Sequence, residues 1–258
     1  LVRQLQEVRR PGLLEFVRKR LEGMRNGTIK RKGNNYTKET LHTYTGFANI
    51  LENFVKLHPF EWEDINERLI DEFVLYMEEY GYMKKTINKN LAVFSAMLNT
   101  AFKEGYRFKT SVLDHFPKLH VTREDKVVEI YLTEEELQAL YEMPLSGKED
   151  KARDVFLVGC YTSQRFSDYS HITERNVSFH DGVGIITLTQ QKTGTEVTIP
   201  ILNDNLIRIF EKYDYNLPYI HNNDLNEIIK IILEKLSESV PSLRQEMATK
   251  ITLVGQRM

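Results

Sequence analysis

The sequence predicts a mainly α-helical protein with a small β-sheet, which is an α+β fold class. Apolar residues recur at helical spacing in four successive stretches of the first hundred residues. Two short β-branched segments, 185–189 and 195–199, alternate in the manner of strands. The chain has 258 residues, of which 41% are hydrophobic and 28% charged. That composition is typical of globular proteins, and the length suffices for two domains of about 100–150 residues.

Residues 1–105 are predicted to form a bundle of four amphipathic helices. Each helix has a residue with a capping or terminating preference at one or both ends, and the fourth starts at about Lys84. In chain order these positions are Asn26-Gly27, Thr37, His58-Pro59, Asn66, Gly81, Lys84 and Gly105. The connections between the helices are short, which favours a compact arrangement.

The second half of the chain is predicted to contain both helices and strands. Residues 106–130 are weakly patterned with scattered lysine and arginine, which predicts an interdomain linker that lies along a nucleic acid. Thr133 and Glu136 form a capping box that opens a second domain. The two strands enclose a hairpin tip at 190–194. Helices are expected near residues 133–143, 149–163, 203–213 and 223–239.

Charge is distributed in blocks, although the net charge is only −2. Residues 1–35 carry ten lysines and arginines against three glutamates, and residues 82–126 are again rich in lysine and arginine. Residues 61–80 carry eight acidic side chains against Arg68 alone. One interpretation is a face turned to a polyanion and another turned away from it. The other is a set of ordinary solvated helix faces.

Other features narrow the class of protein. No apolar run approaches the ~20 residues of a membrane-spanning helix, and the start is not a signal peptide. The first residue is not Met, so we expect residues upstream. The single cysteine, Cys160, lies in an apolar run and is predicted to be a small core residue, which fits an intracellular, reducing compartment. The sequence contains no zinc-ligand spacing and no phosphate-binding glycine loop.

The most informative segment leads to Arg165. Residues 155–161 form an apolar run that predicts a largely buried helix, and small polar residues then lead directly to the arginine. A guanidinium matches the oxygens of a phosphate, so a fixed anion clamp is one interpretation. The alternative is an arginine that caps the end of the helix or pairs with Asp168.

Arg165-Phe-Ser-Asp168 after an apolar helix resembles the first arginine box of the tyrosine recombinase (phage and transposon integrase) family. That box often reads Thr-Gly-x-Arg-x-Ser-Asp/Glu. The matching positions here are Thr162, Arg165, Ser167 and Asp168. Ser163 stands where the family usually has glycine.

A second motif follows in the order of the family. Lys192 lies in a Lys-Thr-Gly setting on the predicted hairpin, 27 residues after Arg165, where the family places its catalytic lysine. Taken alone, Lys192 is equally explained as an exposed turn lysine. The resemblance implies a helical core-binding (SAM-like) domain at 1–105, a linker at 106–130 and the N-terminal part of a catalytic domain at 131–258.

The resemblance also implies a function. A tyrosine would attack a DNA phosphodiester, form a 3′-phosphotyrosyl link and release a 5′ hydroxyl, without a nucleotide cofactor or a metal. Arg165 would clamp the phosphate, Lys192 would act as general acid and Asp168 would support the turn. The implied partners are double-stranded DNA and, for the intact enzyme, three further copies in a tetramer on DNA. We expect a monomer for this chain, and a bacterial, cytoplasmic protein of a phage or other mobile element with no membrane partner.

The first domain offers two helix N-termini with free backbone N–H groups and short side-chain donors, which suit DNA phosphates. These are the openings at 37–40 and 84–90. The candidate DNA contacts are Lys32, Thr37, Lys38, His42, Lys84, Lys85, Thr86, Asn88 and Lys89. The alternative for each is helix capping or a solvated surface.

Part of the family's machinery has no counterpart in its expected place. The family needs a His-x-x-Arg box and a tyrosine nucleophile after the lysine hairpin. His120-Val-Thr-Arg123 has the right spelling but precedes Arg165, and Tyr213, Tyr215 and Tyr219 come too early. We therefore expect a fragment that cannot itself cut DNA.

Two other functions remain open: a non-catalytic DNA-binding regulator on the same scaffold, and a helical adaptor without nucleic acid. The downstream reading frame separates the enzyme from the regulator. Salt-dependent binding to random duplex DNA separates the adaptor from both.

Overall fold

A computed structural model describes residues 11–122 and 130–245 of the chain. The described residues divide into two compact units, one in each of these ranges. Within them, no helix is both long enough and apolar enough to cross a membrane.

The first unit contains the four predicted helices. They are α1 Leu13–Arg25, α2 Lys38–Leu57, α3 Glu67–Glu79 and α4 Lys84–Lys103. The predicted caps are confirmed. The hydroxyl of Thr37 accepts the N–H of Thr40, and the amide oxygen of Asn66 accepts the N–H of Leu69 at 3.2 Å. Gly81 follows α3 with a φ of +74°, a conformation that glycine adopts without strain.

The core of the first unit is built on aromatic rings. Phe47, Phe54, Phe73 and Phe94 are fully buried. The ring of Phe73 lies 5.2 Å from that of Phe54 and 5.2 Å from that of Phe94, both edge to face. Such pairs add about 0.5–1.5 kcal/mol each beyond the burial of their area. The helices are therefore fixed by apolar packing, which leaves their polar faces free to vary.

The expected linker is partly incorrect, because its first half packs on the first unit. Val112 is fully buried, and the rings of Tyr106 and Phe116 contact Trp62 and Phe94 at 4.5 and 5.8 Å. This segment includes a short 3-10 helix, Thr110–Asp114. The aromatic side chains of residues 106–119 make this packing favourable, so the boundary expected at 105 falls too early. Residues 123–129 of the expected linker lie outside the described residues.

Charged side chains reinforce this docking. Glu67 on α3 accepts a hydrogen bond from Lys109 at 2.7 Å and another from Ser111, and these two bonds lower the pKa of Glu67 to about 2. His115 lies 3.0 Å from Asp71 of the same helix. The acidic block of residues 61–80 thus contributes an ion pair and hydrogen bonds that hold the following segment, in addition to solvated surface.

The second unit combines five helices with a three-stranded antiparallel sheet. The helices are α5 Glu134–Glu142, α6 Gly147–Thr162, α7 Phe166–Tyr169, α8 Asp204–Lys212 and α9 Asn222–Leu236. The strands are β1 Val177–His180, β2 Val183–Thr189 and β3 Glu196–Ile201, in the order β1-β2-β3. Three further 3-10 helices are Trp62–Asp64 in the first unit and Glu174–Asn176 and Pro241–Arg244 in the second.

These elements confirm the mainly helical fold class with a small sheet. The capping box at Thr133 and Glu136 is present, with both reciprocal hydrogen bonds. On β2, Ile186 and Leu188 face the core, and Ile186 pairs with Ile199 of β3. Strand β1 and helix α7 were not predicted. The cysteine on α6, Cys160, is partly buried, and burial raises the pKa of its thiol to about 11.

A network of charged side chains holds α6 against α8. Asp154 is almost fully buried, and its two oxygens accept hydrogen bonds from Arg153 at 2.8 Å, Lys212 at 2.6 Å and Tyr213 at 2.9 Å. Arg153 also donates to Asp150 and to two backbone carbonyls. Burial alone would lower the pKa of Lys212, but its bonds to Asp150 and Asp154 outweigh that effect and raise it. The network fixes helix α6, which ends at Thr162.

Candidate active site and nucleic-acid contacts

Helix α6 is followed by Ser163, whose backbone adopts the left-handed conformation. Its φ and ψ are 55° and 24°, and its N–H donates to the carbonyl of Gly159 at 3.0 Å. An L-residue with a side chain is strained in this conformation, whereas glycine adopts it freely. This geometry explains why glycine suits position 163 in the arginine box. It also turns the chain so that Gln164 and Arg165 leave the helix axis.

Arg165 is the N-cap residue of the short helix α7 and directly precedes it. Its carbonyl accepts the N–H groups of Asp168 and Tyr169 at 2.8 and 3.0 Å, so it does not cap the end of α6. Its side chain is 48% exposed, and its Nη1 lies 3.8 Å from Oδ2 of Asp168. That distance is too long for a hydrogen bond. The pairing with Asp168 is thus loose, and the guanidinium remains accessible to an external anion.

The turn that carries Arg165 is seated on α6 by a close contact. The ring of Tyr169 lies directly against Gly159, so that a Cβ at position 159 would be 2.6 Å from Cε1 of Tyr169. Tyr169 is buried, and burial raises the pKa of its hydroxyl to about 12. Glycine at 159 therefore sets how closely α7 approaches α6.

Hydrogen bonds fasten the hairpin tip between β2 and β3 to this turn. One oxygen of the buried Asp168 accepts the backbone N–H of Gln191 at 2.9 Å. The side-chain amide of Gln191 donates to the carbonyl of Ser167 at 2.8 Å. The other oxygen of Asp168, Oδ2, is buried without a hydrogen-bond partner in the structure. The arginine turn and the hairpin are thus one assembly, which sequence spacing alone did not reveal.

A second chain of hydrogen bonds joins the same two elements. The hydroxyl of Thr193 donates to Oε1 of Gln190 at 3.0 Å, and Nε2 of Gln190 donates to Oε1 of Gln164 at 2.9 Å. Gln164 in turn donates to the carbonyl of Thr162, at the end of α6, at 3.2 Å. These bonds run from the hairpin tip to the residue beside Arg165.

Lys192 lies at this tip, between Gln191 and Thr193, and is exposed. The tip is closed by two backbone hydrogen bonds of 2.8 Å, from Gln190 to Thr195 and from Gly194 to Gln190. The structure therefore brings the hairpin that bears Lys192 to the turn that bears Arg165. Two cationic side chains on joined elements are one type of arrangement that stabilises charge on a phosphoryl group.

The first group of candidate DNA contacts surrounds the N-terminus of α2. Lys32 is exposed at the apex of a tight turn closed by hydrogen bonds between Arg31 and Asn34. This turn and the start of α2 line a cleft of about 320 Å³. Lys38 and His42 are exposed on the first turns of α2. Thr37 acts as the helix cap, which was the alternative explanation for it.

The N-terminus of α2 already stabilises one anion of its own. The backbone N–H of Glu39 and then the hydroxyl of Thr37 lower the pKa of the Glu39 carboxyl. The donors at this helix end thus favour negative charge, as expected for a helix N-terminus.

The second group lies at the N-terminus of α4. Lys85 and Lys89 are exposed, whereas Lys84 and Thr86 are partly buried. Asn88 requires a correction to its expected role. Its amide donates to the carbonyl of Leu119 and its oxygen accepts the N–H of the same residue, both at 2.8 Å. Asn88 holds the segment after α4 in place, and we remove it from the candidate DNA contacts.

The three tyrosines that come too early for a nucleophile have other surroundings. Tyr213 donates to Asp154, and burial together with this bond raises its pKa to about 12. Tyr215 stacks on Phe210 with an angle of 7° between the rings. Tyr219 is exposed beside His171 and His221.

Comparison with known proteins identifies similar sequences for the first unit and similar structures for nearly the whole chain. Residues 13–116 match the family described as the phage integrase SAM-like domain. No curated protein matches the chain. Among solved structures, XerH site-specific recombinase on palindromic difH DNA is similar, with a TM-score of 0.66, 12% identity, 92% of this chain covered and 80% of that chain.

Two further structures are similar. The Tn1549 transposon integrase in complex with a circular intermediate DNA has a TM-score of 0.64 and 17% identity, with 93% of this chain covered and 82% of that chain. A lambda integrase tetramer bound to a Holliday junction has a TM-score of 0.62 and 15% identity, with coverage of 94% and 67%. At such identities these likenesses show the fold.

The fold is similar to that of the XerH recombinase, the Tn1549 integrase and the lambda integrase. Within it, residues 13–116 form a phage integrase SAM-like domain. These matches agree with the fold expected from the resemblance, and the match of residues 13–116 agrees with the expected SAM-like domain.

Proposed function

We propose that this chain acts in site-specific DNA recombination, with Arg165 and Lys192 serving one scissile phosphate. Arg165 neutralises the non-bridging oxygens as negative charge develops in the transition state. Lys192 donates a proton to the departing 5′ oxygen. The observation that carries the proposal is the set of hydrogen bonds that joins the hairpin of Lys192 to the turn of Arg165.

In the proposed reaction, each bond to phosphorus that breaks is replaced by a new one. A tyrosine oxygen forms a bond to phosphorus, the bond between phosphorus and the 5′ oxygen breaks, and that oxygen takes the proton from Lys192. A 5′ hydroxyl of a second strand later attacks the 3′-phosphotyrosyl link and restores the phosphodiester. We assign the attacking tyrosine to none of Tyr213, Tyr215 or Tyr219, since Tyr213 is committed to the buried network. Asp168 supports the site by holding the hairpin.

The first unit supplies general affinity for duplex DNA in this proposal. Exposed basic side chains at the N-termini of α2 and α4 contact phosphates, foremost Lys32, Lys38, Lys85 and Lys89. The similar structures are complexes with DNA, and the lambda integrase is a tetramer on a Holliday junction. By analogy we propose a tetramer on DNA for the full-length protein, in the cytoplasm of a bacterium that carries the mobile element.

Covalent DNA–protein adducts test the catalytic part. In the full-length protein, Arg165→Ala and Lys192→Ala should each slow adduct formation on a suicide substrate by about 100-fold or more, the range for loss of a general acid or an oxyanion donor. Lys151→Ala removes an exposed lysine of the same unit and is the matched control. Binding of uncleaved DNA should be largely retained in all three, because the first unit supplies most of the affinity in this proposal. Normal adduct rates in Arg165→Ala would refute the phosphate-clamp assignment.

Salt dependence tests the DNA-binding part. Lys85→Ala with Lys89→Ala should weaken binding equally across sequences and reduce the slope of log K against log salt by about 2, since each phosphate contact contributes about 0.9. Lys103→Ala with Arg107→Ala makes the same charge change at the other end of α4 and should leave the slope nearly unaltered. Equal slopes for the two variants would remove the N-terminus of α4 from the DNA surface.

A further inference from the structure

The tip of the β2–β3 hairpin has little apolar packing to hold it. Residues 191–196 are all exposed, and Gly194 has a φ of +68°. A lysine on such a tip has a flexible four-carbon stem on a backbone that is itself poorly restrained. A general acid has to stay within hydrogen-bond reach of the oxygen that it protonates. Contacts outside the hairpin must therefore fix the tip.

Side-chain amides make those contacts on both sides of Lys192. On one side, Gln191 donates its backbone N–H to Asp168 and its Nε2 to the carbonyl of Ser167. On the other side, Thr193 donates to Gln190, which donates to Gln164. The bonds made by Gln190 Nε2 and by Gln191 end on the segment 162–168, which contains Arg165. Gln164, next to Arg165, is thus linked through the side-chain amide of Gln190 to Thr193, next to Lys192.

We propose that Gln164, Gln190 and Gln191, the glutamine clamp, are positioning residues that place Lys192 beside the phosphate held by Arg165. This inference rests on the proposed function, because it assigns the clamp a role in the step that Lys192 performs. The clamp acts through Lys192 and touches neither DNA nor the reacting atoms.

The chemistry of the clamp fits that role. Amides carry no net charge, so they fix the hairpin without competing with the scissile phosphate for Arg165 or Lys192. Each bond is directional, with a length of 2.8–2.9 Å between the hairpin and the arginine turn. Loss of one bond should therefore let the lysine drift from its productive position while the buried core of the unit stays intact.

The test compares two DNA substrates in the full-length protein. One carries an ordinary phosphodiester at the cleavage position, and the other carries sulfur in place of the bridging 5′ oxygen. A thiol is far more acidic than an alcohol, so a 5′ thiolate leaves without a proton from the enzyme. A defect in the general acid thus slows cleavage of the first substrate and spares the second.

The clamp variants are Gln191→Ala and the double variant Gln164→Leu with Gln190→Leu. Each should slow cleavage of the oxygen substrate about tenfold, less than the loss of the general acid itself. On the sulfur substrate each should react at a rate within about twofold of the parent. Thr195→Ala is the matched control, because its exposed side chain lies on the same hairpin and its hydroxyl is not part of the clamp. It should be normal on both substrates.

Two results would overturn the inference. One is normal cleavage of the oxygen substrate by both clamp variants. The other is equal slowing on the oxygen and sulfur substrates, since that would mean a general loss of structure around Arg165. Thermal unfolding of each variant is measured alongside the cleavage rates. Gln191→Ala removes only an exposed side chain, so we expect it to fold even if the double variant does not.

Lys192→Ala, run in parallel, separates failure of the clamp from failure of the proposed function. If Lys192→Ala is slow on oxygen and restored on sulfur while the clamp variants are not, the positioning role alone is wrong. If Lys192→Ala is not restored by sulfur, the general-acid assignment fails, and the clamp inference falls with it.

Discussion

In the first unit, phenylalanine rings fill the space between the helices, whereas in the second unit charged and amide side chains hold the candidate site together. Phe47, Phe73 and Phe94 meet without any directional bond. Asp154 and Asp168, by contrast, are buried and accept hydrogen bonds from defined partners. Apolar packing secures a helix but fixes no individual polar group. Hydrogen bonds to buried carboxylates fix the position of an individual polar group, which the proposed function needs.

This contrast also separates how the two units meet DNA in our proposal. The basic residues at the ends of α2 and α4 act by summed charge, so the loss of one is tolerated. Arg165 and Lys192 act at one phosphate, so the loss of either is not. Four predictions test the structural side of the contrast, from the largest expected effect to the smallest.

The first concerns the buried network of the second unit. Asp154→Ala should lower the free energy of unfolding of that unit by about 3 kcal/mol, because it removes the buried carboxylate and leaves Asp150 alone to pair with both Arg153 and Lys212. Asp224→Ala removes an exposed partner of Lys148 and should change it by less than about 1 kcal/mol. Chemical denaturation measures both. Similar losses in the two variants would contradict the view that buried polar bonds hold this unit.

The second concerns the approach of α7 to α6. Gly159→Ala places a methyl group 2.6 Å from the ring of Tyr169, so one element has to move. We expect a loss of about 1–3 kcal/mol in unfolding free energy and a displaced arginine turn. Gly46→Ala is the control, since a Cβ at position 46 meets no atom within 4 Å. A Gly159→Ala protein as stable as the parent would show that the contact is not tight.

The third concerns Ser163 at the end of α6. Ser163→Gly should raise the free energy of unfolding by about 1 kcal/mol, because glycine adopts a φ of 55° without the strain that a side chain incurs. Ser163→Ala keeps that strain and should bring no gain. Destabilisation by Ser163→Gly would argue that the serine side chain makes a contribution larger than its strain.

The smallest effect concerns the ion pair that docks residues 109–111 on α3. Hydrogen bonds from Lys109 and Ser111 lower the pKa of Glu67 from 4.5 to about 2. The stability that this pair contributes is present above pH 4.5 and is lost as the pH falls towards 2. Glu67→Gln should therefore be less stable than the parent near neutral pH, with the difference shrinking through that range. Glu72→Gln, on the same helix, is the control; a difference that is independent of pH would exclude the linkage.

Much of the first unit follows from sequence, because caps and apolar spacing are local. Thr37, Asn66 and Gly81 each mark a helix boundary by their own backbone chemistry, and the structure has the boundaries there. Strand β1 was missed since its four residues are too few for their alternation to be distinctive, and three of them are exposed. The docking of residues 106–119 was missed as well, although the aromatic Tyr106 and Phe116 carried the signal.

The sequence could propose the charged residues of the candidate site but not the hydrogen bonds between the elements that carry them. Arg165 and Lys192 could be found because motif spelling and order are visible in the chain. The bonds that join their elements could not, because Gln164 and Gln190 are 26 residues apart and no spacing rule pairs them. For the same reason the partners of Asp154 on α8 were not foreseen. Side-chain direction across non-local contacts is set by the folded backbone.

The most direct test of the account is the structure of the full-length protein on a DNA duplex with an intact cleavage site. We predict that the guanidinium of Arg165 and the ammonium of Lys192 both lie within about 3 Å of oxygens of the same phosphate, with Gln191 still bonded to the arginine turn. A complex in which Arg165 is closed onto Asp168 and Lys192 extends into solvent would contradict it.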